Sequence, residues 1–324
     1  MIQLQQMISV IVPAKNEEEG INAFYDELMK YLPQNSKEYE VIFIDDGSTD
    51  QTLQILKSFA QKNKNIHVVA FKRNRGKADA LAYGFFHAKG DIIITMDADL
   101  QDKPKELHKF IEKYENGSDV VCGWRKDRKD KQNMVFISKF FNYLIGVLFG
   151  LKLHDIDCGF KLFSKEAVDK LYIYGGLYRF IPLLLYQEGY DVDEVIVEHE
   201  ARNFGKSKYG FSKIWKNLPD LFTMFFLAKY RNRPLHFFGV IGGLFLVVGF
   251  IILIYLTYIH TFLHQSIYRR PILFGGVLLV ISGFQVFFTG FLADLMINLS
   301  FGSPGEANTP LNFPLKYTSA HPKR

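Results

Sequence analysis

Two long apolar stretches, Leu235 to Ile259 and Ile272 to Leu299, constrain this chain more than any other feature. Each is about 25 residues, against the roughly 20 needed to cross a bilayer core. The first holds no Lys, Arg, Asp or Glu, and the second carries only Asp294, near its end. Phe237, Phe238, Tyr255, Tyr258 and Phe274 lie towards the ends, where interfacial aromatic belts form. The alternative is a pair of buried core helices, but no soluble helical partners remain in the sequence to cover them. The stretches therefore read as a two-helix transmembrane hairpin. The mean hydropathy of 0.00 is an average over two unlike parts.

A hairpin puts both flanks on one side of the membrane. Lys229, Arg231 and Arg233 precede it, and Lys316, Lys323 and Arg324 follow it, against Arg269 and Arg270 in the connecting turn. The excess places the rest of the chain in the cytoplasm. Two cysteines, Cys122 and Cys158, suit a reducing compartment and give no disulfide framework. The net charge of +5 suits an anionic lipid surface but is not clustered as nucleic-acid binding requires. Met1 to Gln6 is polar, and the run Ile8 to Val12 has strand length, so no signal peptide is expected.

The first half alternates β-branched runs with helical patterns. Ile8–Val12, Tyr39–Ile44, Ile66–Phe71, Ile92–Met96 and Asp119–Cys122 read as strands. Helices are expected at Glu17–Leu32, Gln51–Gln61, Lys77–Ala88 and Lys105–Tyr114. Such repeats build an α/β, doubly wound, mainly parallel sheet whose ligands bind at the carboxyl ends of strands. Three polar clusters fall at that one edge: Pro13 to Glu17, Asp45-Asp46-Gly47-Ser48, and Asp97-Ala98-Asp99. The last places two carboxylates where a buried strand emerges, a geometry that offers oxygen ligands to a divalent cation and, through it, a diphosphate. Leu100-Gln101-Asp102 adds further oxygen-bearing groups. Phe211 to Tyr230 reads as an amphipathic helix ahead of the first span, bent at Pro219. Its apolar face fits either the membrane surface or its own domain. Residues 300–324, with four prolines, read as an irregular tail.

Val12-Pro13-Ala14-Lys15-Asn16-Glu17, Ile44-Asp45-Asp46-Gly47-Ser48-Thr49-Asp50, Asn74-Arg75-Gly76-Lys77 and Met96-Asp97-Ala98-Asp99-Leu100-Gln101-Asp102 occur in that order. As a set they resemble the inverting family 2 glycosyltransferases of the GT-A (Rossmann-like) fold, and within them the polyprenyl-phosphate glycosyltransferases. The resemblance covers roughly Ser9 to Tyr209, and the two-span tail is similar to that of bacterial members. It implies Mg²⁺ or Mn²⁺ held by Asp99 and Gln101, with Asp97 at the nucleotide ribose or the metal. It also implies a nucleotide-sugar pocket of Pro13, Lys15, Glu17, Ile44, Asp46, Lys77, Asp97 and Ala98, with Asp46 at the nucleobase. A carboxylate there accepts the ring N–H of uracil or guanine, so UDP and GDP donors both remain open.

By the same resemblance Arg125 faces the acceptor phosphate, with Arg128, Lys131 and Ser138 assisting; relatives carry another arginine where this chain has Met134. Asp155 and Asp157 are the candidates to position the acceptor or take a proton, and the pattern does not choose between them. Arg202 and Lys208, in a glycine-hinged basic loop, would stabilise the leaving diphosphate. The implied activity is transfer of a single sugar to undecaprenyl or dolichyl phosphate at the cytoplasmic face of a bilayer, in a bacterial inner membrane. The implied organisation is a glycosyltransferase domain over 1–210, a juxtamembrane helix over 211–233, two spans over 234–299 and a tail over 300–324. The partners are the sugar nucleotide, the lipid phosphate and the bilayer; no nucleic acid is expected, and a homo-oligomer is left open. Two competitors are a processive polysaccharide synthase and a non-catalytic scaffold in lipid-linked sugar export. The first expects a Gln-x-x-Arg-Trp element, which neither Trp124 nor Trp215 supplies. The second expects loss of Asp97, Asp99, Gln101, Arg202 or Lys208.

Overall fold

A computed structural model of the chain describes residues 5–126, 132–169, 171, 173, 175–200, 222–223, 225–226, 229–230, 233–267, 270–300 and 315–319. Runs of Val and Ile buried on both faces form the central strands, as parallel sheets covered by helices demand. β1 (Ile8–Ala14), β2 (Tyr39–Asp45), β3 (Ile66–Phe71) and β4 (Ile92–Thr95) are parallel, in the order β4-β1-β2-β3. The strand order reverses across β1, whose neighbours are β2 and β4, so the β1–β4 boundary is the switch point at which such sheets bind ligands. β5 (Val120–Trp124) pairs in parallel with β7 (Val192–Ile196), and β6 (Lys161–Ser164) runs antiparallel between β4 and β5. β8 (Leu315–Thr318) closes the far edge, antiparallel to β3.

The helices bury one stripe each. α1 (Ile21–Asn35) turns Ile21, Phe24, Leu28 and Leu32 inward, and α2 (Thr52–Lys62) turns Leu53, Leu56 and Phe59. Phe24 meets Phe43 edge-on at 6.4 Å, and Tyr25 stacks on Phe59 at 4.0 Å. α3 (Lys77–His87) fits against β1 because Gly84 has no side chain; a Cβ there would lie 2.4 Å from Ile11 Cγ2. α4 (Leu107–Glu115) brings Phe110 onto Phe160, stacked at 4.0 Å. Burying side chains of this size contributes about 2–3 kcal/mol each. α5 (Gln132–Phe149), α6 (Lys165–Asp169) and α7 (Ile181–Gln187) complete this part.

Two expectations need correcting. The tail was read as irregular, yet β8 lies in the sheet, and the Ser319 Oγ accepts from Val68 N at 2.7 Å. The first helix was placed from Glu17, but it starts at Ile21. β1 runs on to Ala14, and Asn16, at a φ of 53°, folds residues 16–20 into a turn tied to the loop after β2.

The chain divides into two compact units, Met1–Asp220 with Pro310–Arg324, and Leu221–Thr309. The second holds α8 (Pro234–Phe262) and α9 (Pro271–Ser300). Both are long and apolar enough to cross a membrane, and only 11 % of each apolar window is buried, unlike core helices of a soluble protein. Their contact is built on absent side chains. A Cβ on Gly242 would lie 2.7 Å from the Gly283 carbonyl oxygen, and one on Gly249 would lie 2.8 Å from Val280 Cγ2. Small residues here allow backbones to approach, as membrane helix pairs need. The helix expected over 211–233 falls mostly outside the described residues.

Candidate functional site

The loops after β1, β2 and β3 are laced into one wall at the carboxyl edge. Asn16 N donates to Ser48 Oγ at 3.0 Å, and Asn16 Oδ1 accepts from Thr49 N at 2.9 Å. Glu17 N donates to Thr52 Oγ1 at 2.9 Å. Asp46, buried, accepts from Arg75 N at 2.7 Å and from Gly76 N at 3.0 Å, drawing the third loop onto the second. Burial pushes its carboxyl above the ordinary range, against those two N–H donors. Gly47 allows this closeness: its φ is +67°, and a Cβ would lie 2.6 Å from Arg73 C and Asn74 N.

The turn after β4 faces this wall. Lys77, first residue of α3, places Nζ 2.5 Å from Asp97 Oδ1, both side chains about one-third exposed. Burial opposes both charges, but each outweighs that for the other: the ammonium is held above its ordinary range and the carboxylate below. Gly159 backs Asp97 so closely that a Cβ would sit 2.5 Å from Oδ2. Thr95 Oγ1 fixes that segment by donating to Gly159 O at 2.9 Å. Ala98 is buried; Leu100 has a φ of 60°, and Gln101 N donates back to Asp99 Oδ1 at 3.2 Å. Burial pushes the Asp102 carboxyl up to about 7, against the pull of Arg125.

A third group lies beyond. Arg125, after β5, makes a two-pronged bond to Asp155, Nε to Oδ2 at 2.6 Å and Nη2 to Oδ1 at 3.0 Å. Asp155 is 2 % exposed, so it is a partner for the guanidinium more than a group open to substrate. Asp157 is 31 % exposed and lies 3.4 Å from Arg179 Nε. With Lys77, Lys161, Tyr178 and Arg179 it lines a small cavity. Lys161 is buried and donates to the Cys158 carbonyl. The neighbouring thiols are buried as well, and burial pushes Cys122 up to about 12.

Pro13, Lys15, Glu17, Ile44, Asp46, Lys77, Asp97, Ala98, Asp99 and Gln101 thus share one edge of the sheet. Ser138 lies on α5. Arg128, Lys131, Arg202 and Lys208 lie outside the described residues. Sequence reasoning missed Tyr178, Arg179, Lys161 and the backing role of Gly159. None carries a local signal, because each is brought in by a pairing remote along the chain.

Among the described residues no three His, Cys, Asp or Glu side chains gather to hold an ion by themselves. A hard divalent cation on a diphosphate needs less: one or two carboxylates, an amide oxygen, substrate phosphate and water. Asp99 and Gln101, bonded to each other across Leu100, offer that donor set at the mouth of the sheet.

Comparison with known proteins agrees with this geometry. The family model Glycosyl transferase family 2 matches residues 9–172. A dodecaprenyl-phosphate galacturonate synthase of Rhizobium johnstonii is 34 % identical over 297 residues, covering 89 % of this chain and 87 % of that one. An undecaprenyl-phosphate 4-deoxy-4-formamido-L-arabinose transferase of Proteus mirabilis is 34 % identical, covering 77 % and 75 %. In fold the chain is similar to glucosyl-3-phosphoglycerate synthase from Mycobacterium tuberculosis, solved with Mn²⁺, UDP-glucose and phosphoglyceric acid. The TM-score is 0.55 at 20 % identity, over 69 % of this chain and 79 % of that one.

Proposed function

The chain belongs to glycosyl transferase family 2, and on that premise we propose that it moves a single sugar from a UDP- or GDP-sugar to a polyprenyl phosphate, with inversion. The observation that carries this reading is the 297-residue likeness to a dodecaprenyl-phosphate glycosyltransferase, too long to fit outside the unit Leu221–Thr309 and so including apolar helix. An acceptor of the same class, a polyprenyl phosphate, recurs in the name of the Proteus relative.

A lipid phosphate is already anionic at neutral pH, so its oxygen attacks the anomeric carbon without a proton being taken first. The new C–O bond forms on the face opposite the nucleoside diphosphate, which leaves with the electron pair of the broken bond. Arg125, held by Asp155, supplies a fixed cation for the acceptor phosphate, assisted by Arg128, Lys131 and Ser138. Asp157, beside Tyr178 and Arg179, faces the sugar and orients it; this assigns the two carboxylates different roles. Pro13, Lys15, Glu17, Ile44, Asp46 and Ala98 wall the nucleotide. Lys77 keeps Asp97 ionised and in place at the diphosphate end. Asp99 and Gln101 would hold Mg²⁺ or Mn²⁺, which neutralises charge on the leaving diphosphate when bound. Arg202 and Lys208 share that work.

Residues 1–220 and 310–324 belong to one unit, so the chain leaves for the membrane and returns. That arrangement supports an even number of crossings and fits two spans. Lys229, Arg231, Arg233 and Lys316 at the flanks argue for the cytoplasmic side, and the bacterial relatives argue for an inner membrane. The test is direct. Purified protein with undecaprenyl phosphate, Mn²⁺ or Mg²⁺ and a panel of labelled UDP- and GDP-sugars should yield a lipid phosphodiester carrying one sugar, read by mass. A lipid left unlabelled by every donor overturns the reading, and a lipid bearing a sugar chain replaces it with a processive synthase.

A further inference from the structure

The segment after β7 returns to the turn that bears Asp99 and Gln101. Asp102 and His199 form an isolated antiparallel bridge, and Glu200 N donates to Gln101 O at 3.2 Å. Lys103 Nζ lies 2.8 Å from Glu200 Oε2, and Lys105 Nζ lies 2.5 Å from Glu198 Oε2. Inside this double contact His199 Nδ1 faces Asp102 Oδ1 at 4.0 Å, with the two side chains 1 % and 4 % exposed. Among the described residues Asp102 Oδ1 has no hydrogen-bond partner. A polar pair is costly to bury, and nothing in the proposed chemistry uses it directly.

The turn it borders is strained. Leu100 adopts a φ of 60°, which a branched residue tolerates only where its surroundings over-determine the backbone. On one side the constraint is the Gln101 N to Asp99 Oδ1 bond; on the other it is the 102–199 bridge. The two Lys–Glu pairs include well-exposed partners and contribute little by themselves. That leaves the buried pair as the specific part of the contact.

We propose that Asp102 and His199 are positioning residues of the donor site, a buried clasp that holds Asp99 and Gln101 in ligating geometry. The inference rests on the reading of this turn as the cation site of a sugar-nucleotide donor. Groups that orient metal ligands from behind change metal affinity by about 10–100-fold when removed. Mn²⁺ binding to the full-length protein in the presence of UDP or GDP, followed by electron paramagnetic resonance, measures this without turnover. His199→Phe keeps the buried ring and removes Nδ1; it should weaken Mn²⁺ binding by about 10–100-fold. His199→Asn returns a nitrogen near that position and should recover binding to within about threefold of wild type. Asp102→Leu fills the same volume, should weaken binding like His199→Phe, and carries the test if that variant does not fold. A wild type that binds no Mn²⁺ with either UDP or GDP overturns the reading of the turn itself. A wild type that binds Mn²⁺, with His199→Phe or Asp102→Leu binding as tightly, overturns the clasp alone.

Discussion

The strands β1, β2 and β4 carry a polar network at each end, and the two networks are built on opposite principles. At the amino ends Glu40, 2 % exposed, accepts from Ser9 Oγ at 2.6 Å and from Lys89 N at 2.7 Å, with His67 Nε2 at 3.5 Å. Ser9 Oγ in turn accepts from Gly90 N at 2.8 Å, and the Asp91 Oδ2 from Met7 N at 3.1 Å. Donors and acceptors there match, and the backbone is relaxed. At the carboxyl ends charge is concentrated: Lys77 against Asp97 and Asp157 against Arg179 are partly covered, and Arg125 against Asp155 is buried. Two of the three described non-glycine residues with positive φ, Asn16 and Leu100, sit at this edge. The contrast separates polar groups that hold a fold together from polar groups that the proposed function assigns to a ligand.

Substitutions can break this contrast. Asp99→Ala removes a proposed cation ligand; transfer (kcat/KM, lipid labelling) should fall by about 10³-fold, with the thermal midpoint nearly unchanged. Asp155→Ala leaves Arg125 buried without its carboxylate and should cost about 3–5 kcal/mol of stability in denaturant titration, so this pair straddles both roles. Glu40→Ala orphans the Ser9 hydroxyl and the Lys89 N–H; it should cost about 1–3 kcal/mol, yet leave transfer per folded molecule intact. The smallest effect concerns pH. Burial holds the His67 imidazole below its ordinary value of 6.5, against Glu40. The unfolded chain therefore takes up a proton near 6.5 that the folded one refuses until lower pH. Stability should decline as pH falls below 6.5, and His67→Gln should flatten that slope. An unchanged slope would sever His67 from the amino-edge network.

How far the residues alone foretold this follows from which contacts are local. Alternating apolar runs and helical stripes disclosed β1 to β5 and the helices between them, because period and turn residues are read within one element. The rule that ligands meet the carboxyl ends of parallel strands then placed Pro13–Glu17, Asp45–Ser48 and Asp97–Asp99 on one edge. The short strands β6 and β8 escaped, since each lies outside the alternating strand–helix run and pairs antiparallel with a distant partner. The pairing of Arg125 with Asp155 escaped for the same reason, so the sequence left Asp155 and Asp157 as equals. Their exposures, 2 % and 31 %, separate them. The need for no side chain at Gly159 becomes visible only when Asp97 lies against it.

One paired measurement tests the account most directly: sugar transfer to undecaprenyl phosphate and thermal unfolding, on Asp99→Ala and Glu40→Ala side by side. The account predicts that Asp99→Ala unfolds like wild type and labels almost no lipid, while Glu40→Ala unfolds earlier and labels lipid at the wild-type rate per folded molecule. Lipid labelled by Asp99→Ala as fast as by wild type would contradict it.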